Sequence, residues 1–195
     1  LKENFPDEIL LGEESASDVH SLPTSTEGRW ILDPLDGTTY YIHGFPAYAV
    51  SLGHEYRGEI LVGVVDLPAL GEVYCAAKGM GSWVNGTSLR VSKTEKLEES
   101  LLATGFFGEI ESQLQDQIRI FSKIVGISRG IRRAGAAAYD LCLVARGVFD
   151  AYWEKGLQPW DSAAGQLIVT EAGGVLTTYE GKPYQPFELS LVAGN

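Results

Sequence analysis

Apolar positions recur with a short period through the first half of the chain and with a helical period through much of the second. Residues 47–52, 60–66 and 72–77 are short runs rich in valine, leucine and tyrosine, the composition of strands on a pleated surface. Glycine-containing turns at Arg57-Gly58 and Leu70-Gly71 separate them and predict an antiparallel meander. Asn85-Gly86 falls between Trp83-Val84 and Leu89-Arg90-Val91, a strong signal for a two-residue hairpin. Upstream, residues 30–32 form a short apolar strand that runs straight into Asp33-Pro34. After about residue 111, Ile118, Phe121, Ile124 and Val125 recur at helical spacing, with Gly126 as a stop. An alanine-rich helix is expected over 136–146, a strand over 148–153, a third helix over 162–172 closed by Gly173-Gly174, and a strand over 175–178. Strands grouped first, then helices mixed with strands, predict a layered α+β domain whose sheets are mainly antiparallel.

Composition narrows the function classes. The chain has 195 residues, 45% of them hydrophobic, enough for one core. Its net charge of −11 argues against nucleic acid as a direct partner, since phosphate backbones attract basic surfaces. A phosphorylated small molecule stays compatible with that acidity where bound cations reverse the local sign. Cys75 and Cys142 each sit in an apolar run outside any metal-binding cluster and are expected to be buried and unbonded. No apolar stretch approaches a membrane span and nothing at the start reads as a signal peptide, so a reducing cytoplasm is the expected location. His20, His43 and His54 lack metal-like spacing and read as exposed or turn histidines. Residues 1–6 read like the end of a helix entering a loop, and 192–195 stop as a strand finishes; both ends are expected to be incomplete.

Three short segments carry the candidate chemistry. In the first, Trp30 to Thr39, a hydrophobic strand delivers Asp33 and Asp36 three residues apart across a turn stiffened by Pro34. Gly37 lets the backbone approach a ligand, and the hydroxyls of Thr38 and Thr39 follow. Paired carboxylates repel unless protonated or bridged by cations, and magnesium prefers carboxylate oxygen, water and phosphate. Asp-Pro and Asp-Gly are also common turn pairs, so this segment alone leaves a surface turn open. In the second, Trp160-Asp161-Ser162-Ala163-Ala164-Gly165 opens a helix. Asp161 stands where an N-cap would, and capping alone accounts for it at about 1 kcal/mol. A helix N-terminus also favours phosphate, and the small residues allow a close approach by another element. The third, Gly12-Glu13-Glu14-Ser15, means little by itself.

Taken together, an acid pair, a double-aspartate turn and an aspartate at a helix start are the parts of a two-metal phosphoester site. The order and spacing of GEES, WILDPLDGTT and WDSAAG, with RRAGAAAYDLCLVARGVFDAYWE before the last, resemble the inositol monophosphatase family over essentially the whole chain. The resemblance implies one domain over 1–195, with a metal-binding β-rich part at 1–110 and an α/β part at 111–195. It implies an αβαβα sandwich of the sugar-phosphatase type, here without the usual N-terminal helical pair and last helix. It implies two or three Mg²⁺ ions, with Glu13, Asp33, the Leu35 carbonyl, Asp36 and Asp161 as ligands. Gly37 and Thr38 match the positions that contact phosphate through backbone amides. The Thr38 hydroxyl would orient the attacking water with help from Glu13, and Asp36 belongs to the same catalytic group. Gly135 and Ala137 resemble the segment against the sugar ring, and Glu154 the glutamate that binds ring hydroxyls; a solvated acid at a strand end is the alternative for Glu154. Asp140 and Asp150 match no ligand and read as structural. Tyr40-Tyr41 depart from the family's usual Asn and aromatic and are expected to reshape the pocket wall.

The expected activity is Mg²⁺-dependent hydrolysis of inositol monophosphate or a related small polyol or sugar phosphate by a metal-activated water, without a phosphoenzyme. Fructose-1,6-bisphosphatase, histidinol-phosphate phosphatase and 3′-phosphoadenosine 5′-phosphate phosphatase share the fold and metals and remain alternatives, as does a non-catalytic regulatory homologue. A plain Ca²⁺-binding module is disfavoured because the sequence has no EF-hand-like loop. Homodimer formation and sensitivity to lithium are further implications of the resemblance.

Overall fold

A computed structural model describes residues 1, 3–15, 28–106 and 111–195. Two sheets enclose a helical layer. The first is seven-stranded in sequence order: β1 (Ile9–Gly12), β2 (Gly28–Asp36), β3 (Ala49–Tyr56), β4 (Glu59–Leu67), β5 (Glu72–Ala77), β6 (Gly81–Val84) and β7 (Thr87–Ser88). It is antiparallel apart from the β1–β2 pair. The predicted hairpins are present: Arg57 and Gly58 join β3 to β4 and Asn85 and Gly86 join β6 to β7, all four at positive φ, the geometry that matches strand twist.

The second sheet is mixed. Its order is β11 (Val175–Thr177), β12 (Ser190–Gly194), β10 (Ala151–Lys155), β8 (Leu101–Thr104) and β9 (Gly130–Arg132). β8 lies parallel to both β10 and β9, the rest antiparallel. Between the sheets pack α3 (Ala137–Ala145) and α4 (Pro159–Glu171), both largely buried. α2 (Glu111–Ile124) covers the outer face of the second sheet, where Ile120 and Ile124 line an apolar hollow with Leu102, Trp153 and Val192. The short α1 (Thr38–His43) follows β2.

Small residues let α4 lie directly on the first sheet. A Cβ at Gly63 of β4 would come within 2.7 Å of the Ala164 carbonyl, and one at Gly165 within 2.6 Å of Leu141 on α3. The close approach expected of the WDSAAG segment is therefore present on both sides of α4. Ile31, Val65, Leu67, Tyr74, Leu141, Ile168 and Leu191 are among the buried residues of the continuous core on either side of this helical layer.

Several expectations need correction. β2 does not end at Leu32 but continues to Asp36. α4 begins at Pro159, because proline's fixed φ suits the first helical position, so Asp161 is the third helical residue and Gln158 the N-cap. Residues 148–150 precede β10 rather than forming part of it. The described residues before Asp7 form turns, not a helix. Cys142 is buried but Cys75 is half-buried; neither is bonded. His43 is exposed at the end of α1, whereas His54 lies in β3, its Nε2 within hydrogen-bond distance of Glu8 at 3.1 Å and its ring tilted against Trp30. His20 lies outside the described residues. No helix among the described residues is long and apolar enough to cross a membrane.

Candidate metal and phosphate site

Alternation along a strand would send Asp33 and Asp36, an odd number of residues apart, to opposite faces. A bulge prevents this: Asp33 pairs with Ser51 but Asp36 with Ala49, so three steps on β2 match two on β3. Pro34 sits in the irregularity, where its missing N–H breaks no ladder bond. Asp33 closes the local turn by accepting the Leu35 N–H at 2.8 Å. The result is two aspartates on the inner face, only 2% and 9% exposed.

The third carboxylate comes from α4. Ser51, the register partner of Asp33, donates its hydroxyl to the Trp160 carbonyl at 3.1 Å, which docks the start of α4 beside β2. Asp161 accepts the Gln158 N–H at 2.7 Å, the acid half of a capping box. Asp36 in turn accepts the Ala138 N–H at 2.8 Å from the start of α3. Two helix N-termini therefore face the cluster, each favouring negative charge there.

The electrostatics reflect crowding. Burial pushes the Asp161 carboxyl up to about 7, and the charges of Asp33, Glu154 and Glu13 add to the rise against the Gln158 hydrogen bond. Burial, with Glu13 nearby, raises Asp33 to about 6. Asp36 is raised well above the ordinary carboxylate range by burial, then by Asp161 and Asp33. Among the described residues none of these three aspartates is in an ion pair. Glu13, exposed in a one-turn 3₁₀ helix after β1, acts on both Asp33 and Asp161. An all-oxygen set of mutually repelling carboxylates suits a hard divalent cation. Each aspartate turns one oxygen to a backbone N–H, and no three acid, imidazole or thiolate side chains among the described residues stand as a finished coordination cage. The donor chemistry would fit a hard cation such as magnesium.

Gly37 caps α1 at φ 83°, and a Cβ there would come within 2.8 Å of the Ala47 carbonyl. The Thr38 hydroxyl, exposed, donates to the Leu35 carbonyl at 3.1 Å. Beside the cluster lies a cleft of about 140 Å³ whose walls include Asp36, Asp161, Gly135, Ala137 and Glu154, so the ring-binding candidates and the acids share one hollow. Its remaining walls are Gly105, Arg133 and Leu157, which sequence reasoning did not single out. Arg133 lay within a matched segment, yet no local pattern marks it. Tyr40 packs over Gly135, where a Cβ would meet its ring at 2.6 Å. Asp150 accepts the Ser92 hydroxyl and the Leu101 N–H, both at 2.6 Å, a structural role. Asp140 is buried with neither carboxylate oxygen hydrogen-bonded among the described residues; burial and Glu154 raise its pKa and Arg133 opposes the rise. A larger apolar hollow of about 310 Å³ under α2 lacks the donors for phosphate chemistry.

Residues 1–195 match the model of the inositol monophosphatase family. The chain is 42% identical over 203 residues to the chloroplastic phosphatase IMPL1 of Arabidopsis thaliana, a match covering all of this chain and 53% of that protein. The solved inositol monophosphatase of Anabaena (Nostoc) superposes with a TM-score of 0.92 at 38% identity, covering 100% of this chain and 76% of that one. SaIMPase-II bound to inositol monophosphate superposes at 0.87 and 29% identity, covering 100% and 74%. The chain thus spans about half the length of the Arabidopsis relative and about three quarters of the two solved chains.

Proposed function

The chain belongs to the inositol monophosphatase family, and on that premise we propose that it is a Mg²⁺-dependent phosphomonoesterase acting on inositol monophosphate or a related small polyol phosphate. The observation that carries the reading is the bulge in β2, which turns Asp33 and Asp36 onto one buried face where Asp161 meets them. Glu13, Asp33, the Leu35 carbonyl, Asp36 and Asp161 would hold two or three ions. When bound, magnesium supplies the positive charge that draws in phosphoryl oxygens, acidifies water and offsets charge on the leaving oxygen.

The remaining work falls to the chain's own groups. The Thr38 hydroxyl, which donates to the Leu35 carbonyl, would orient the attacking water, and Glu13 would take its proton. The Gly37 and Thr38 amides, beside a cluster that binds cations, hold the phosphoryl oxygens. Gly135 and Ala137 form the floor under the sugar ring, and Glu154 accepts its hydroxyls across the same cleft. The inositol monophosphate held by SaIMPase-II supports the choice of substrate. Treating 1–195 as one catalytic unit, with Asp161 the ligand from the 111–195 part, belongs to the same proposal, as do a cytoplasmic location, homodimer formation and lithium sensitivity.

Arg133 favours a second reading. Its side chain lines the cleft without an ion pair among the described residues, a placement suited to a second phosphate, as in fructose 1,6-bisphosphate. Phosphate release from inositol 1-phosphate, fructose 1,6-bisphosphate, histidinol phosphate and 3′-phosphoadenosine 5′-phosphate, with Mg²⁺ and with EDTA, separates these readings. Mg²⁺-dependent release led by inositol 1-phosphate is the expected result. A lead for the bisphosphate that Arg133→Ala abolishes would favour the second reading. No release from any ester by folded full-length protein would refute both and leave a regulatory role.

A further inference from the structure

Glu154 faces the cleft from β10, and its carboxylate is held from two sides. Tyr152 and Glu154 share a face of β10, and the Tyr152 hydroxyl donates to Glu154 Oε2. Opposite stands Gly105, immediately after β8 and also in the cleft wall. β8 runs parallel to β10, with Thr104 in register with Trp153. The Thr104 hydroxyl donates to the Trp153 carbonyl at 2.8 Å. This bond stitches the strand ends together and sets Gly105 one step further along, beside Glu154.

A Cβ at Gly105 would overlap the Glu154 carboxyl group outright, both oxygens and the carboxyl carbon lying far inside van der Waals contact. Gly105 is not among the glycines at positive φ, so backbone conformation does not require glycine there. The need is for space.

We propose that Gly105 is a specificity-determining residue of this cleft. By lacking a side chain it seats the Glu154 carboxylate against the Tyr152 hydroxyl, in the position from which it accepts hydrogen bonds from the ring hydroxyls of a polyol phosphate. The inference rests on the phosphatase reading above and adds the residue that fixes where the hydroxyl acceptor stands. The group a methyl would strike is the far end of a flexible side chain. Gly105→Ala therefore folds, and the carboxylate moves instead of the strand.

The test compares wild type, Gly105→Ala, Glu154→Gln and the double variant as full-length protein, on myo-inositol 1-phosphate and on p-nitrophenyl phosphate, which has no ring hydroxyls. A crystal structure of Gly105→Ala accompanies the kinetics. In Gly105→Ala, the kcat/KM preference for the inositol ester falls about tenfold, as for loss of one hydrogen bond to a charged group, with the change residing in KM. Adding Gly105→Ala to Glu154→Gln lowers that preference no further, because the two act through one group. The crystal structure shows Glu154 displaced from Tyr152. A preserved preference, an equal loss on both esters, an additive double variant, or Glu154 still on the Tyr152 hydroxyl overturns the proposal. If wild type hydrolyses neither ester, the phosphatase reading fails on its own, and the crystal structure alone decides whether Gly105 sets the seat of Glu154.

Discussion

Asp161→Asn should make the metal-free protein more stable and the enzyme nearly inactive, two effects of opposite sign. The asparagine keeps the shape, and its amide oxygen can still accept the Gln158 N–H now bonded at 2.7 Å. What it removes is a charge in a crowded place. The Asp161 carboxyl is pushed from 3.8 up to about 7, which at about 1.4 kcal/mol per unit corresponds to roughly 4 kcal/mol of destabilisation once it ionises. The carboxylate is half-buried at the cleft, so solvent screens part of this and a gain of about 2 kcal/mol is expected at pH 8. Losing a negative charge near a helix N-terminus subtracts roughly 0.5 kcal/mol. The remainder corresponds to a melting temperature about 3–6 °C higher in EDTA for a chain of this length. The gain should vanish below about pH 3, under both the unfolded value of 3.8 and the folded value, where the wild-type carboxyl is itself protonated in folded and unfolded chains. Turnover with Mg²⁺ should fall by about 10³-fold, the equivalent of roughly 4 kcal/mol of lost transition-state stabilisation. Thermal melts at both pH values and a phosphate-release assay read all three. A variant that loses stability at pH 8 while keeping its activity would show that Asp161 serves only the helix start and holds no metal.

Metal-free wild type should lose stability as pH rises from about 4 to about 7 and level off above. The folded pKa values of Asp33 and Asp161, about 6 and about 7, lie above the unfolded value, so the unfolded chain gives up its protons first. Saturating Mg²⁺ should flatten that slope in denaturant melts; a slope unaffected by Mg²⁺ would speak against cation binding here. Thr38→Val removes an exposed hydroxyl whose bond is to the Leu35 carbonyl. It should cut turnover about 100-fold while shifting stability by less than about 0.5 kcal/mol, and unimpaired turnover would remove Thr38 from the mechanism. Gly63→Ala places a methyl within 2.7 Å of the Ala164 carbonyl, a clash with backbone. It should destabilise by about 1–3 kcal/mol in urea melts, and an unaltered midpoint would mean that α4 does not sit as close to β4 as described.

Much of the architecture was legible because its signals are local. Asn85-Gly86 and Arg57-Gly58 announce turns that need positive φ, and both turns are there. The alanine-rich helix falls within one residue of its expected ends. The bulge in β2 was not legible, because it exists only in the pairing of Asp33 and Asp36 with Ser51 and Ala49. Nothing in the order Asp-Pro-Leu-Asp says that both carboxylates face inward. β8 and β9 are four and three residues long and pair in parallel with distant segments, so neither length nor periodicity marks them. The preference of aspartate for N-caps placed the α4 boundary too late, since Pro159 at the first helical position was the better sign. Glu154, Gly135 and Ala137 were named from resemblance and lie in one cleft. Gly105 and Arg133 complete its wall through tertiary contact alone.

The most direct test of the metal-site account is phosphate release from inositol 1-phosphate by full-length wild type and Asp36→Asn across a Mg²⁺ titration. Wild type should be inactive in EDTA and rise to saturation with Mg²⁺. Asp36→Asn, still folded because its amide can accept the Ala138 N–H now bonded at 2.8 Å, should stay about 10³-fold lower at every concentration. Activity that survives EDTA, or an Asp36→Asn curve that overlays the wild type, would contradict the account.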